Sequence, residues 1–400
     1  MKILVANVGS TSFKFKLYTM PEEIILAAGK VENIGTDNSC FSFSCAANRA
    51  SGSREFRNYQ QAISACTDFL INKDNRLLTG LHEIDAVGFK TVHGKNMREC
   101  RVLNDQVLQA MEEYNFLAPA HNPPYIQAIK AFTVMIPGVP CVGLFEPAFH
   151  RTIPDYAYTT GLPYKLAEKH GIRKYGFHGA SHRYIAERTP QFTGLASDKN
   201  RIISCHLGGS SSICAIKNGK SVDTSMSFSP QSGLLNANRC GDLDPFIPLY
   251  LQKAENMSVD EVAELLQSQS GLAGIAGQNK DVKQIEDAAL QGDERAILAM
   301  KTYCYRVQQY IGAYYVTLGG CDVLVLTGGI GEKSAPFRRE ICNALDCIGI
   351  QIDTDLNNTV NGEALISSSA SQVKVAVIPT NEEVVVAREV QELLEKNRRK

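Results

Sequence analysis

Apolar positions in this chain gather into short continuous or alternating runs, and these are separated by stretches with apolar spacing of three and four. The first kind of pattern belongs to strands and the second to helices, so the chain predicts alternating strands and helices. Ile3 to Val8, a turn of Gly9-Ser10-Thr11-Ser12, and Phe13 to Leu17 read as strand, hydroxyl-rich bend, strand. The plan returns two hundred residues later, where Ile202 to His206, Leu207-Gly208-Gly209-Ser210-Ser211 and Ser212 to Ile216 repeat it. Helical spacing marks Ala62 to Asn72, Asn104 to Asn115 and Glu294 to Val316, and Ser181 to Glu187 opens a further helix. Ser258-Val259-Asp260-Glu261 and Thr380-Asn381-Glu382-Glu383 read as capping boxes, the second opening the terminal helix. Buried strands are expected at 84–92, 140–145, 323–327 and 373–378, and 21–58 reads as an irregular, strand-rich surface excursion. The expected fold class is α/β, a mixed or parallel sheet covered by helices.

Composition narrows the class. Four hundred residues exceed one ordinary core, so two domains are expected. A formal net charge of -1 offers no electrostatic reason for a nucleic-acid or membrane partner. No run is long and apolar enough to span a bilayer, and no signal peptide is read at the start. The 12 cysteines are scattered without a Cys-x-x-Cys pair, which predicts reduced thiols and a cytoplasmic protein.

A Gly-Ser bend between apolar strands exposes N–H groups and hydroxyls without side-chain bulk, which suits a phosphate. Each bend alone is also what an ordinary hairpin loop looks like; the pair points to a duplicated domain with a phosphate-bearing ligand held between the copies. Gly328-Gly329-Ile330-Gly331-Glu332 follows an apolar strand and reads either as a nucleotide loop or as a tight strand-to-helix turn. Lys90, His93, His121, Glu146, His178 and Arg239 stand mostly at or just past the ends of apolar runs, where open α/β sheets place ligands. Together they supply cations, donors and carboxylates of the kind phosphoryl transfer needs, with Glu146 and Glu382 as candidates for Mg²⁺.

The blocks Asn7 to Lys14, Ala118 to Pro124, Tyr175 to His182, Lys217 to Met226, Arg239 to Pro245 and Ile378 to Glu383 resemble the acetate kinases and their propionate and butyrate relatives. The resemblance runs nearly end to end. It implies duplicated actin-like ATPase (ribonuclease H-like) domains with an interdomain cleft that closes over its ligands. An acyl kinase domain over 1–149, completed by the terminal helix 384–400, and a nucleotide-binding domain over 150–383 follow from it. The implied reaction is Mg²⁺-dependent (or Mn²⁺-dependent) phosphoryl exchange between ATP and a short carboxylate, giving ADP and an acyl phosphate, in a homodimer. Position by position, Asn7 and Glu382 match the metal site, and Ser10, Ser12, Lys14, His206, Leu207, Gly208, Gly209 and Ser210 match phosphate contacts. Asp281, Val282, Lys283, Gly329, Ile330, Gly331, Glu332 and Lys333 match the adenosine segments. His178 and Arg239 match residues acting on the transferring phosphoryl, Glu146 the catalytic carboxylate, and Lys90 a substrate-binding cation. Val92, Ala120, Phe177 and Pro230 match an apolar pocket for the acyl tail, and His121 an active-site histidine.

The chain also departs from that pattern. It carries Glu146 for Asp, Lys90 for Arg, Gly209-Ser210 for Asn-Gly, Ala120 for Leu and Lys333 for Asn. Lysine replaces a planar fork by a point charge. Glu146 lengthens the carboxylate by about 1.5 Å, a scale at which misplacement can cost on the order of a hundredfold in rate. Ala120 enlarges the tail pocket and predicts an acid longer than acetate. A weakened relative that binds nucleotide or acyl phosphate in a regulatory role is the alternative these departures raise.

Overall fold

A computed structural model describes residues 1–119, 121–277 and 281–399. The chain divides into two compact units, one made of Met1–Ala148 with Asn381–Lys400, the other of Phe149–Thr380.

The first unit is built on an eight-stranded sheet whose strands are β1 (Lys2–Val8), β2 (Phe13–Thr19), β3 (Ile24–Glu32), β4 (Cys40–Cys45), β5 (Arg49–Ser53), β6 (Ala86–Thr91), β7 (Cys100–Val102) and β8 (Cys141–Phe145). Their order is β5-β4-β3-β2-β1-β6-β8-β7. β1 to β5 form an antiparallel meander, while β6 runs parallel to both β1 and β8. Residues 21–58 are therefore no detached excursion: β3 to β5 extend the sheet and bury Val31 and Phe43. Helices Tyr59–Ile71 and Asn122–Met135 share one core with the sheet through Ile63, Phe69, Tyr125 and Phe132. The terminal helix, Glu382–Arg398, buries Val384, Val385, Val386 and Val390 against β1, β6 and β8. Full burial of each such valine is worth about 1.5–3 kcal/mol. A Cβ at Gly88 of β6 would stand 3.0 Å from methyl groups of Val386 and Val390, so glycine lets the helix lie close to the sheet.

The second unit repeats the plan with β9 (Arg201–His206), β10 (Ser212–Lys217), β11 (Lys220–Thr224), β12 (Val323–Thr327), β13 (Ala364–Leu365) and β14 (Lys374–Val377). The order is β11-β10-β9-β12-β14-β13, with β9–β10–β11 antiparallel and β9, β12 and β14 parallel. Strand for strand this matches β3-β2-β1-β6-β8 in order and direction, which is the signature of duplication. Helix Glu294–Leu318 packs its Tyr303, Val307 and Ile311 into one core. Helix Gly179–Thr193 closes another with Ile185 and Ala186.

Capping explains most helix starts. Ser258 and Glu261 form the expected capping box, and an unforeseen one joins Asp281 to Gln284. The terminal helix differs from expectation: Asn381 caps it, accepting from Val384 N at 3.3 Å, in place of a Thr380 box. Helix Asn122–Met135 was not foreseen, because Pro123-Pro124 masks its start; prolines at the first helical positions lose no hydrogen bond there.

Candidate active site

In the first unit the candidate residues stand at the ends of strands. Asn7 is the penultimate residue of β1, opposite Lys14 of β2; Lys90 is near the end of β6, Glu146 directly follows β8, and Glu382 opens the terminal helix. Lys90 Nζ donates to Glu382 Oε2 at 2.7 Å and lies 3.5 Å from Glu146 Oε1. Burial works against the ammonium, but the two carboxylates outweigh it and hold its pKa well above the usual lysine value. Tyr125 donates to Asn7 Oδ1 at 3.4 Å and accepts from Val8 N at 3.3 Å; burial pushes its hydroxyl up to about 12. The bend after β1 closes through Gly9 N to Ser12 O at 2.8 Å and a bond from Tyr59 to Gly9 O. Ser10 and Lys14 are left exposed.

In the second unit His178 caps helix Gly179–Thr193 in a left-handed conformation (φ 55°). Its Nδ1 is 2.8 Å from Ser212 Oγ and its Nε2 is 3.1 Å from Ser210 Oγ. His206 stacks on the ring with centroids 4.2 Å apart. Arg239 donates through Nη2 to Ser210 Oγ and through Nη1 to Pro230 O at 3.0 Å. Burial pulls its pKa down to about 10. Among the described residues Arg239 has no carboxylate partner; both its acceptors are neutral.

Beside this cluster is a cavity of about 690 Å³ lined in part by Gly208, Gly209, Asp281, Lys283, Gly329 and Lys333, within the range of small-molecule sites. Gly328 (φ 77°) opens a helix, Gly328–Lys333, so the glycine run is a strand-to-helix turn that also faces a cavity. A Cβ at Gly328 would lie 2.7 Å from Leu207 O, and Ile330 N donates to that same oxygen at 2.8 Å. Cβ atoms at Gly209 and Gly329 would meet nothing within 4 Å. Glycine at both positions leaves the cavity wall bare.

The structure thus brings together Asn7, Lys90, Glu146 and Glu382 in one unit, and His178, His206, Ser210 and Arg239 in the other. Of the tail-pocket candidates, Val92 is buried in the first unit, and Phe177 and Pro230 are buried in the second. Ala120 lies outside the described residues. His121 sits at the N-cap of helix Asn122–Met135 without a capping bond from its side chain. Glu332 turns inward, accepting from Gly328 N at 2.9 Å and Thr380 N at 3.3 Å, and it does not line the cavity. Asp281 accepts from Gln284 N as a helix cap while also lining it. Sequence reasoning missed Tyr125, Ser212, Asn238, Glu286 and Ser334. Tyr125 adjoins the Ala118–Pro124 block, the one signal that could have found it.

Paired units of one strand plan, each bearing an open bend between its first two strands, define a protein with the actin-like ATPase fold. The chain belongs to the acetokinase family, whose model matches residues 2–388. An acetate kinase of Clostridium novyi is 43% identical over 398 residues, 99% of each chain. The crystal structure of Porphyromonas gingivalis acetate kinase is similar with a TM-score of 0.87 at 39% identity, covering 98% of this chain and 99% of that one. A propionate kinase structure from Francisella tularensis gives 0.89 at 36%, covering 97% and 98%.

Proposed function

We propose that the protein transfers the γ-phosphoryl group of ATP to a short-chain carboxylate, reversibly, giving ADP and an acyl phosphate. Family membership supports the reaction class, and one observation carries the reading: a half-buried arginine whose acceptors, among the described residues, are neutral oxygens, beside a glycine-walled cavity. Such a guanidinium is suited to an anion that comes and goes.

In this reading the second unit is the nucleotide-binding domain, with adenosine against Asp281–Lys283 and Gly329–Lys333. A carboxylate oxygen of the acid attacks the γ-phosphorus in line; the new O–P bond forms as the bond to the β–γ bridging oxygen breaks, and its electron pair leaves with ADP. The acid is already anionic at neutral pH, so no general base is needed. Arg239 and His178 stabilise charge on the transferring group. The first unit supplies the acyl kinase residues, with Lys90 meeting the substrate carboxylate and Glu146 orienting it.

Asn7 and Glu382 are the residues that would hold Mg²⁺, which when bound neutralises phosphate oxygens. Among the described residues no cluster of three His, Cys, Asp or Glu side chains could hold a metal ion. The oxygens of Asn7 and Glu382 still fit this hard cation, since Mg²⁺ commonly uses only one or two carboxylates plus substrate phosphates. It would share Glu382 with Lys90. A homodimer fits helix Phe246–Ala254, which buries no residue and exposes Phe246, Leu249 and Tyr250. Cytoplasmic location fits twelve free cysteines; among the described residues no helix is long and apolar enough to cross a membrane.

Trapping with hydroxylamine tests the reaction: purified protein, ATP, Mg²⁺ and acids from acetate to butyrate should yield hydroxamate, with propionate or butyrate preferred through Ala120. The tight pairing of Lys90 with Glu382 favours a second reading, a weakened binding or regulatory relative. Nucleotide binding without hydroxamate from any acid would establish that reading instead.

A further inference from the structure

Ser210 stands in the bend between β9 and β10, and its hydroxyl touches two groups that the proposed reaction uses. Arg239 Nη2 donates to it, and His178 Nε2 lies 3.1 Å away. A guanidinium can only donate, so the serine oxygen accepts from Arg239 and still has its own hydrogen to place. Of these two neighbours only the imidazole can accept it. On the far side of the ring, His178 Nδ1 is 2.8 Å from Ser212 Oγ, and Ser212 Oγ is 2.8 Å from His182 Nε2. His182 Nδ1 in turn meets Ser204 Oγ at 2.9 Å. His182 is fully buried, and burial holds it neutral, with one N–H to give. Donation from Arg239 to Ser210, Ser210 to His178, His178 to Ser212, Ser212 to His182 and His182 to Ser204 gives the Ser210 hydrogen an acceptor within the series; the reverse run from Ser204 leaves it without one there. His206, stacked on the His178 ring, is bonded to Ser181 Oγ through its Nδ1 at 2.8 Å.

We propose that Ser210 is a positioning residue whose hydroxyl fixes Arg239 against His178 and holds the imidazole with its proton on Nδ1 and its lone pair on Nε2. This rests on the assignment of His178 and Arg239 to the phosphoryl group made above. The two side chains come from a helix start and a loop 61 residues on (239 less 178), and a single oxygen sets their spacing. Without it Arg239 keeps its bond to Pro230 O, and His178 its contact with Ser212 and its stack on His206, but nothing joins the two.

The test uses full-length Ser210→Ala, Ser210→Gly and Ser210→Thr. In the alanine and glycine variants kcat should fall by about 10- to 100-fold at unchanged KM for ATP, the scale of a displaced catalytic group. Threonine, which keeps the hydroxyl, should restore most of it. In ¹⁵N-histidine spectra of the ligand-free protein, His178, identified by its loss in His178→Asn, should show the Nδ1-protonated tautomer and lose that preference in Ser210→Ala. An unchanged kcat in Ser210→Ala overturns the proposal, and so does a His178 tautomer that the substitution leaves unchanged. The spectra require no turnover, so a wild type that makes no acyl phosphate would defeat the proposed function while this test still stands.

Discussion

Arg239 is a half-buried charge whose acceptors are neutral, and it is where a single substitution should separate chemistry from binding. Arg239→Ala is expected to lower kcat by about 10²–10³ while the affinity for ATP changes little, because a preorganised donor acts on charge that develops in transit. Equal losses in both would mark a structural arginine. Lys90 makes the opposite case, since its partners are already charged. Lys90→Met removes the ammonium that lies between Glu382 and Glu146, the latter 4% exposed. Breaking one side of such a buried pair costs about 3–5 kcal/mol, which urea unfolding of the variant would read. Neither property was legible in the sequence. Lys90 and Glu382 are 292 positions apart, and Ser210 and Arg239 are 29 apart. Residue types could nominate them as polar and near strand ends, but only the folded sheet shows which ones touch.

Elements were more legible than contacts. The two strand–bend–strand units could be read because a glycine and hydroxyl bend interrupts two apolar runs, and the structure forms both as antiparallel pairs. The glycine run after β12 left two readings open, and the structure shows the strand-to-helix turn, which also faces a cavity. Gly329 gives the element-scale prediction. A Cβ there meets nothing within 4 Å, so Gly329→Val should fold with wild-type stability yet weaken ATP binding at least about tenfold by filling the wall. Isothermal titration beside a thermal melt checks both halves; unaltered affinity would show that the nucleotide does not use this wall. Helix Asn122–Met135 escaped notice for a local reason, since Pro-Pro reads as a breaker unless it falls at a helix start.

At the scale of the whole molecule, stability should depend on acid through buried histidines in the second unit. His150 donates Nε2–H to Phe177 O at 3.0 Å and meets Ser221 Oγ through Nδ1 at 2.9 Å, and burial holds its pKa down to about 4. Its unfolded value is the ordinary 6.5, so below that pH the unfolded chain binds the proton first. The contribution is complete above pH 6.5, shrinks as pH falls toward 4, and amounts to roughly 3 kcal/mol. Unfolding free energies measured between pH 4 and 7 should decline with acid, less steeply in His150→Asn. An equal slope in the variant would assign the acid sensitivity to other groups. The duplication of strand order was legible only in outline, because two similar bends announce a repeat while the order of the parallel strands depends on crossovers that no local pattern encodes.

The central claim is transfer of a phosphoryl group to a carboxylate, and ³¹P NMR of the full-length protein with ATP, Mg²⁺ and a short acid observes it directly. The γ-phosphate resonance should decline as an acyl phosphate resonance and those of ADP grow together, only when the acid is present, and far more slowly in Arg239→Ala. ATP that stays intact with every acid, or that yields inorganic phosphate at a rate indifferent to the acid, would contradict the account.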